Sequence, residues 1–125
     1  MKNAIATADA PAAIGPYSQG TEAAGLVFVS GQLPIDPATG EMPQGVAEQA
    51  AQSIANVEAI LKAAGLGLGD VVKTTVLLAD IADFAAVNAV YAERFGQPCP
   101  ARSAFAVAAL PKPGAKVEIE AIAAR

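Results

Sequence analysis

The chain has 125 residues, a formal net charge of −4 and a sequence pI of about 4.6, and it is 54% hydrophobic but only 5% aromatic. With no histidine and a single cysteine, Cys99, it excludes a histidine-based triad, a Cys–His nucleophile, the usual zinc clusters and an intrachain disulfide. Its basic residues are scattered and no apolar run approaches the ~18 residues of a membrane span, so we expect one cytoplasmic domain over residues 1–125, with no nucleic-acid and no membrane partner.

The first elements are short extended pieces near Ile5 and Gly20, with Tyr17 between them in the Gly/Pro-bounded loop IGPYSQG. Leu26–Ser30 (LVFVS) is β-branched and aromatic and predicts a buried strand ending at Gly31. IDPATGE at 35–41 is a turn. From Val46 to Ala64 the apolar residues Ala50, Ile54, Val57, Leu61 and Ala64 recur at helical spacing, and Gly65 closes the helix. GLGLGD at 65–70 follows a helix and enters a strand, which is the reverse of a phosphate-binding loop, so it predicts a helix stop and turn.

Asp70–Leu78 predicts a second long strand. Asp80 can cap a second helix whose stripe runs Phe84, Val87, Tyr91, Phe95 and stops at Gly96, with Asn88 at its edge. After QPCPA, a strand is expected from Arg102 to Leu110, with Ala104, Ala106 and Ala108 on the arginine's face and Phe105 opposite, in the core. PKPG turns the chain into a final strand, Lys116–Ala123, where Val117, Ile119, Ala121 and Ala123 share one face and Glu118 and Glu120 the other. The class is α+β, with both helices on one face of a mixed sheet.

The residues alone leave two readings open at each polar position. Arg102 either reaches water or an acid, or it waits for an anion beside small alanines. Glu118 and Glu120 are either a solvated pair or part of a site. Tyr17 lies on the surface or in a cleft, and Asn88 is a local hydrogen-bonding device or a ligand.

Collinear motifs narrow these choices: APAAIGPYSQG at 10–20, VSGQLPIDPATGE at 29–41, AAQSIANVEAILKAAG at 50–65, DVVKTTVLLADIADFAAVNAVY at 70–91, then PAR at 100–102 and VEIEAIA from 117. With these the chain resembles the RidA/YjgF family of reactive-intermediate (enamine/imine) deaminases. The resemblance implies a chorismate-mutase-like homotrimer with sites between subunits, in which the Asp70–Leu78 strand separates the last two. It implies hydrolysis of 2-imino acids, chiefly 2-iminopropanoate and 2-iminobutanoate derived from enamines of pyridoxal-phosphate dehydratases, without cofactor or metal.

By the same resemblance Arg102 binds the substrate carboxylate, Glu118 activates water and Tyr17 helps hold both. Ser30 and Gly31 line the pocket floor, and Asn88 is a further pocket residue, more architectural than catalytic. Many relatives carry a cysteine two residues after the arginine; here that position is Ala104, so the resemblance implies no thiol there. Antiparallel pairing would set Arg102 and Glu118 near opposite ends of the sheet, so a complete site is expected to take one from each of two subunits. Two other functions suit parts of the pattern: a non-catalytic regulatory protein that binds small carboxylates, and an endoribonuclease or translation inhibitor. The acidic balance and the missing histidines argue against the last.

Overall fold

In a computed structural model, which describes residues 1–125, six strands form one mixed sheet. They are β1 (Asn3–Ile5), β2 (Gly20–Ala23), β3 (Leu26–Gln32), β4 (Val71–Leu78), β5 (Ala101–Ala106) and β6 (Val117–Ala124), in the spatial order β1-β2-β3-β6-β4-β5. Only β4 and β5 run parallel, and helix α2 (Phe84–Arg94) makes the crossover between them. Strand β4 therefore separates the last two strands, as expected. Helix α1 (Val46–Ala63) connects β3 to β4. Neither helix is long and apolar enough to cross a membrane.

Both helices cover the same face. Ala50, Ile54, Val57 and Leu61 of α1 are fully buried, and they join Val117, Ile119, Ala121 and Ala123 of β6 in one core. Burying side chains the size of Ile or Leu contributes about 1.5–3 kcal/mol each, so this seam holds the helix to the sheet. The helix ends where Gly65 adopts φ +77°: Gly65 N–H donates to Lys62 O and Leu66 N–H to Leu61 O, a Schellman closure that satisfies the last carbonyls. A short 3-10 turn, Leu68–Asp70, then leads into β4, so GLGLGD is the predicted stop and turn. Asp80 caps a 3-10 turn, Ile81–Asp83, ahead of α2 by accepting from Ala82 N–H at 2.9 Å.

Two expectations for the region after Arg102 need correction. Strand β5 ends at Ala106, and Ala108 and Leu110 lie outside it. The reason is the length of its partner: Val107 N–H makes a bond to Leu78 O, at the end of β4, and Ala79 N–H bonds instead to Lys116 O. Phe105 lies on the predicted face but is not core. It is 48% exposed, because the face opposite the helices has no covering layer within one chain. Phe28 and Val72 are likewise exposed large apolar residues of the sheet.

Three buried amides tie the loops to this frame. Gln19 accepts from Thr7 N–H and donates to the carbonyls of Thr7, Ala10 and Pro11. Gln49 donates to Pro43 O and Gly114 O and accepts from Lys116 N–H. Asn56 donates to Leu33 O and Ile35 O. Each pairs backbone groups that would otherwise be buried without partners. Gln49→Ala is expected to destabilise the fold by about 3 kcal/mol, since it orphans loop groups from two segments at once. Urea denaturation checks this, and a change below about 1 kcal/mol would remove the amide from its pinning role.

Candidate functional site

The regular pairing of β3 with β6 breaks between Val29, opposite Ala121, and Gln32, opposite Ile119. One extra residue on β3 makes a bulge at Ser30–Gly31. Ser30 is tied to the preceding loop: its Oγ donates to Ser18 O at 2.6 Å and its N–H to Gln19 O at 2.9 Å. That loop carries Tyr17, whose side chain is largely in the open. Gly31 lies against the Glu118 carboxylate so closely that an added Cβ would overlap Glu118 Oε2. Tyr17, Ser30, Gly31 and Glu118 thus line one cleft of about 370 Å³, together with Leu33, Pro111 and Glu120.

Glu118 is half-buried on the helix-free face, and Glu120 beside it is exposed. Burial holds the Glu118 carboxyl above the ordinary carboxylate range, and the negative charge of Glu120 adds to the effect. A carboxylate with a raised pKa that is open to a cleft is suited to taking a proton from water and returning it.

Arg102 opens onto a different cleft. It is paired with Thr74 and lies on the helix side of the sheet, near α2. Its Nη1 donates to Asn88 Oδ1 at 2.7 Å, and its guanidinium carbon lies 4.8 Å from the Tyr91 ring centre and 5.3 Å from that of Phe84. The chain's two ion pairs, Lys62–Glu58 and Arg125–Glu22, leave it without a carboxylate partner. Asn88, Tyr91, Ala92, Cys99, Pro100 and Arg102 line this cleft of about 400 Å³. An anion entering it would meet free guanidinium N–H groups.

Within one chain the two clefts do not merge. Arg102 is level with Thr74 and Glu118 with Leu77, three residues further along β4. An odd step along a strand reverses the side-chain direction, so the two residues point to opposite faces. They are also offset by roughly 10 Å along the strands and roughly 10 Å across them. The structure therefore brings together Tyr17, Ser30, Gly31 and Glu118 in one group and Arg102 and Asn88 in another. No three Cys, Asp or Glu side chains converge as a metal site.

Sequence reasoning missed several residues here. Gln19, which anchors the Tyr17 loop, has no sequence signal. Leu33 and Pro111 enter the Glu118 cleft only through loop folding. The bulge had a signal, since a Ser-Gly pair inside a β-branched run marks an irregular strand.

Comparison with known proteins gives consistent matches over nearly the whole chain. Residues 7–125 match the family model described as Endoribonuclease L-PSP. The 2-iminobutanoate/2-iminopropanoate deaminase of Escherichia coli K12 is 55% identical over 128 aligned positions, covering 100% of this chain and 99% of that protein. The crystal structure of the E. coli YjgF gene product is 54% identical, with a TM-score of 0.93 and 98% of each chain covered. The structure of E. coli TdcF with bound serine has the same TM-score, 0.93, at 49% identity and 98% coverage of each chain.

The raised pKa of Glu118 has a consequence for stability. The folded state holds this proton to higher pH than the unfolded chain does. Its stabilising contribution is therefore complete below the ordinary glutamate value of 4.5 and is lost as pH rises through the raised value. Glu118→Gln is expected to remove that loss and to make the protein more stable than wild type at pH 7. Glu120→Gln is expected to narrow the window by lowering the Glu118 value. Urea midpoints between pH 4.5 and 8 test both, and parallel pH dependences for wild type and Glu118→Gln would contradict the assignment.

Proposed function

The chain belongs to the RidA/YjgF family, and from that premise we propose that it hydrolyses 2-imino acids such as 2-iminopropanoate and 2-iminobutanoate to 2-oxo acids and ammonia. The observation that carries this reading is the pairing of a cation without an acidic partner, Arg102, with a half-buried carboxylate beside an open cleft, Glu118. The 55% identity to a 2-iminobutanoate/2-iminopropanoate deaminase over the whole chain supports it. So does the serine held by TdcF, which joins a carboxylate to a carbon bearing nitrogen, as a 2-imino acid does. An endoribonuclease reading fits less well with a net charge of −4 and no histidine.

In this mechanism Arg102 takes the substrate carboxylate with the N–H groups that Asn88 leaves free. Tyr17 and the backbone at Ser30–Gly31 orient the imine and a water molecule in the Glu118 cleft. The water oxygen bonds to C2 while Glu118 accepts its proton, and the C=N electron pair moves to nitrogen. Glu118 then returns that proton to nitrogen, giving the carbinolamine. It next relays the hydroxyl proton to the same nitrogen, so that the C–N bond breaks with release of ammonia as the carbonyl forms. Water in and ammonia out balance the reaction, with Glu118 unchanged at the end.

The opposite facing of Arg102 and Glu118 supports a homotrimer in which each site takes Arg102 from one subunit and Glu118 from the next. The exposed apolar side chains Phe28 and Phe105 on the helix-free face suit contacts between such copies. A cytoplasmic location, with the free thiol of Cys99 kept reduced, fits the same reading. Neither nucleic acid nor membrane has a part in it.

Arg102→Ala and Glu118→Gln should each lower deaminase activity at least about a hundredfold. Mixing the two inactive variants under conditions that exchange subunits should restore about a quarter of wild-type activity, because that share of random interfaces joins an intact Arg102 to an intact Glu118. The assay follows 2-oxobutanoate released from 2-iminobutanoate. No recovery in verified mixed trimers would overturn the shared site. Full activity in Glu118→Gln would remove Glu118 from the water-activating role, whereas no acceleration by wild type, with Arg102→Ala indistinguishable from it, would favour the carboxylate-binding regulator.

A further inference from the structure

Arg102 has no acidic partner, yet its guanidinium is held in one place. Its neighbours on the helix side are the rings of Tyr91 at 4.8 Å and Phe84 at 5.3 Å, with the amide of Asn88 at 2.7 Å. The Tyr91 ring is itself fixed: it is buried, its hydroxyl bonds Thr74 Oγ1 at 2.6 Å, and Phe95 packs at 4.4 Å between ring centres. Thr74 lies directly opposite Arg102 on the neighbouring strand, so one β4 residue anchors the ring over which the guanidinium of its β5 partner lies. Phe84, at the start of α2, contributes the second ring.

We infer that Phe84 and Tyr91 form an aromatic seat that positions Arg102 for an incoming carboxylate, with Tyr91 locked in place through Thr74. An aspartate or glutamate partner would hold the cation equally well, but it would occupy the donors the substrate needs. Aromatic faces attract the cation through their quadrupole and take no N–H donor. The arrangement keeps Arg102 ordered and its donors free, so the substrate carboxylate meets a preorganised fork. Phe84 and Tyr91 are positioning residues, since they act on the ligand only through Arg102. The inference rests on the reading of Arg102 as the carboxylate receptor.

The test measures deaminase kcat and KM, together with the calorimetric Kd for 2-oxobutanoate, a carboxylate that requires no chemistry. Phe84→Leu and Tyr91→Leu are each expected to raise KM and Kd by about five- to twentyfold with kcat within about twofold. Tyr91→Phe keeps the ring but loses its bond to Thr74, so Kd should rise by about two- to fivefold, less than for Tyr91→Leu. In an Arg102→Gln background, where the cation is gone, the leucine substitutions should change Kd by less than about twofold.

A fall in kcat at unchanged KM and Kd would overturn the inference, as would a leucine effect that persists undiminished beside Arg102→Gln. Should Tyr91→Leu fail to fold, Phe84→Leu alone decides, because Phe84 is only partly buried. Wild-type binding of 2-oxobutanoate without imine turnover would sink the deaminase reading while the Kd series still judged the seat. Neither binding nor turnover by wild type would overturn both.

Discussion

Side chains on a strand alternate between faces, and this sheet has a covered face and an open one. That constraint governs the rest of the molecule. Covered positions are small and apolar in β6 and build the seam with α1. Open positions are free of core duty, and there β6 places Glu118 and Glu120. On β5 the same alternation turns Arg102 toward α2, where rings and an amide receive it. Cation and carboxylate point to opposite faces within one chain, and it is this facing that makes the proposed reaction call for a second copy.

Much of this was legible in the sequence because it depends on period. The stripe Ala50, Ile54, Val57, Leu61 and the alternation Val117, Ile119, Ala121, Ala123 could be read directly, and both are buried as they imply. The face assignment of Glu118 followed from the same count. Less was legible where a neighbour decides. The end of β5 is set by the length of β4, so nothing within residues 101–110 announces it. Phe105 carries every mark of a core residue, and only the missing layer exposes it. Whether Arg102 and Glu118 share a face depends on strand order and register, which come from pairing distant segments.

The buried amides were the least visible part. Gln19, Gln49 and Asn56 carry no periodic or motif signal, and glutamine is usually a surface residue. Each folds inward because a loop leaves backbone groups that water cannot reach. Together they hold the segments that carry Tyr17, Leu33 and Pro111 around the Glu118 cleft. A site built on loops then gains the precision of one built on strands.

The bulge in β3 has an effect of its own kind. A regular strand presents one residue in every two to a given side. The extra residue lets Val29 and Gln32 both stay on the helix side, three positions apart, with Ser30 and Gly31 adjacent beside the cleft. The strand is therefore sensitive to residue count as well as residue identity. A one-residue deletion between Val29 and Gln32 would restore a regular ladder and leave room for only one residue where two now stand. Insertions and deletions here alter the site's geometry while the core pairing on either side survives. In this strand the number of residues, as much as their identity, sets the shape of the cleft.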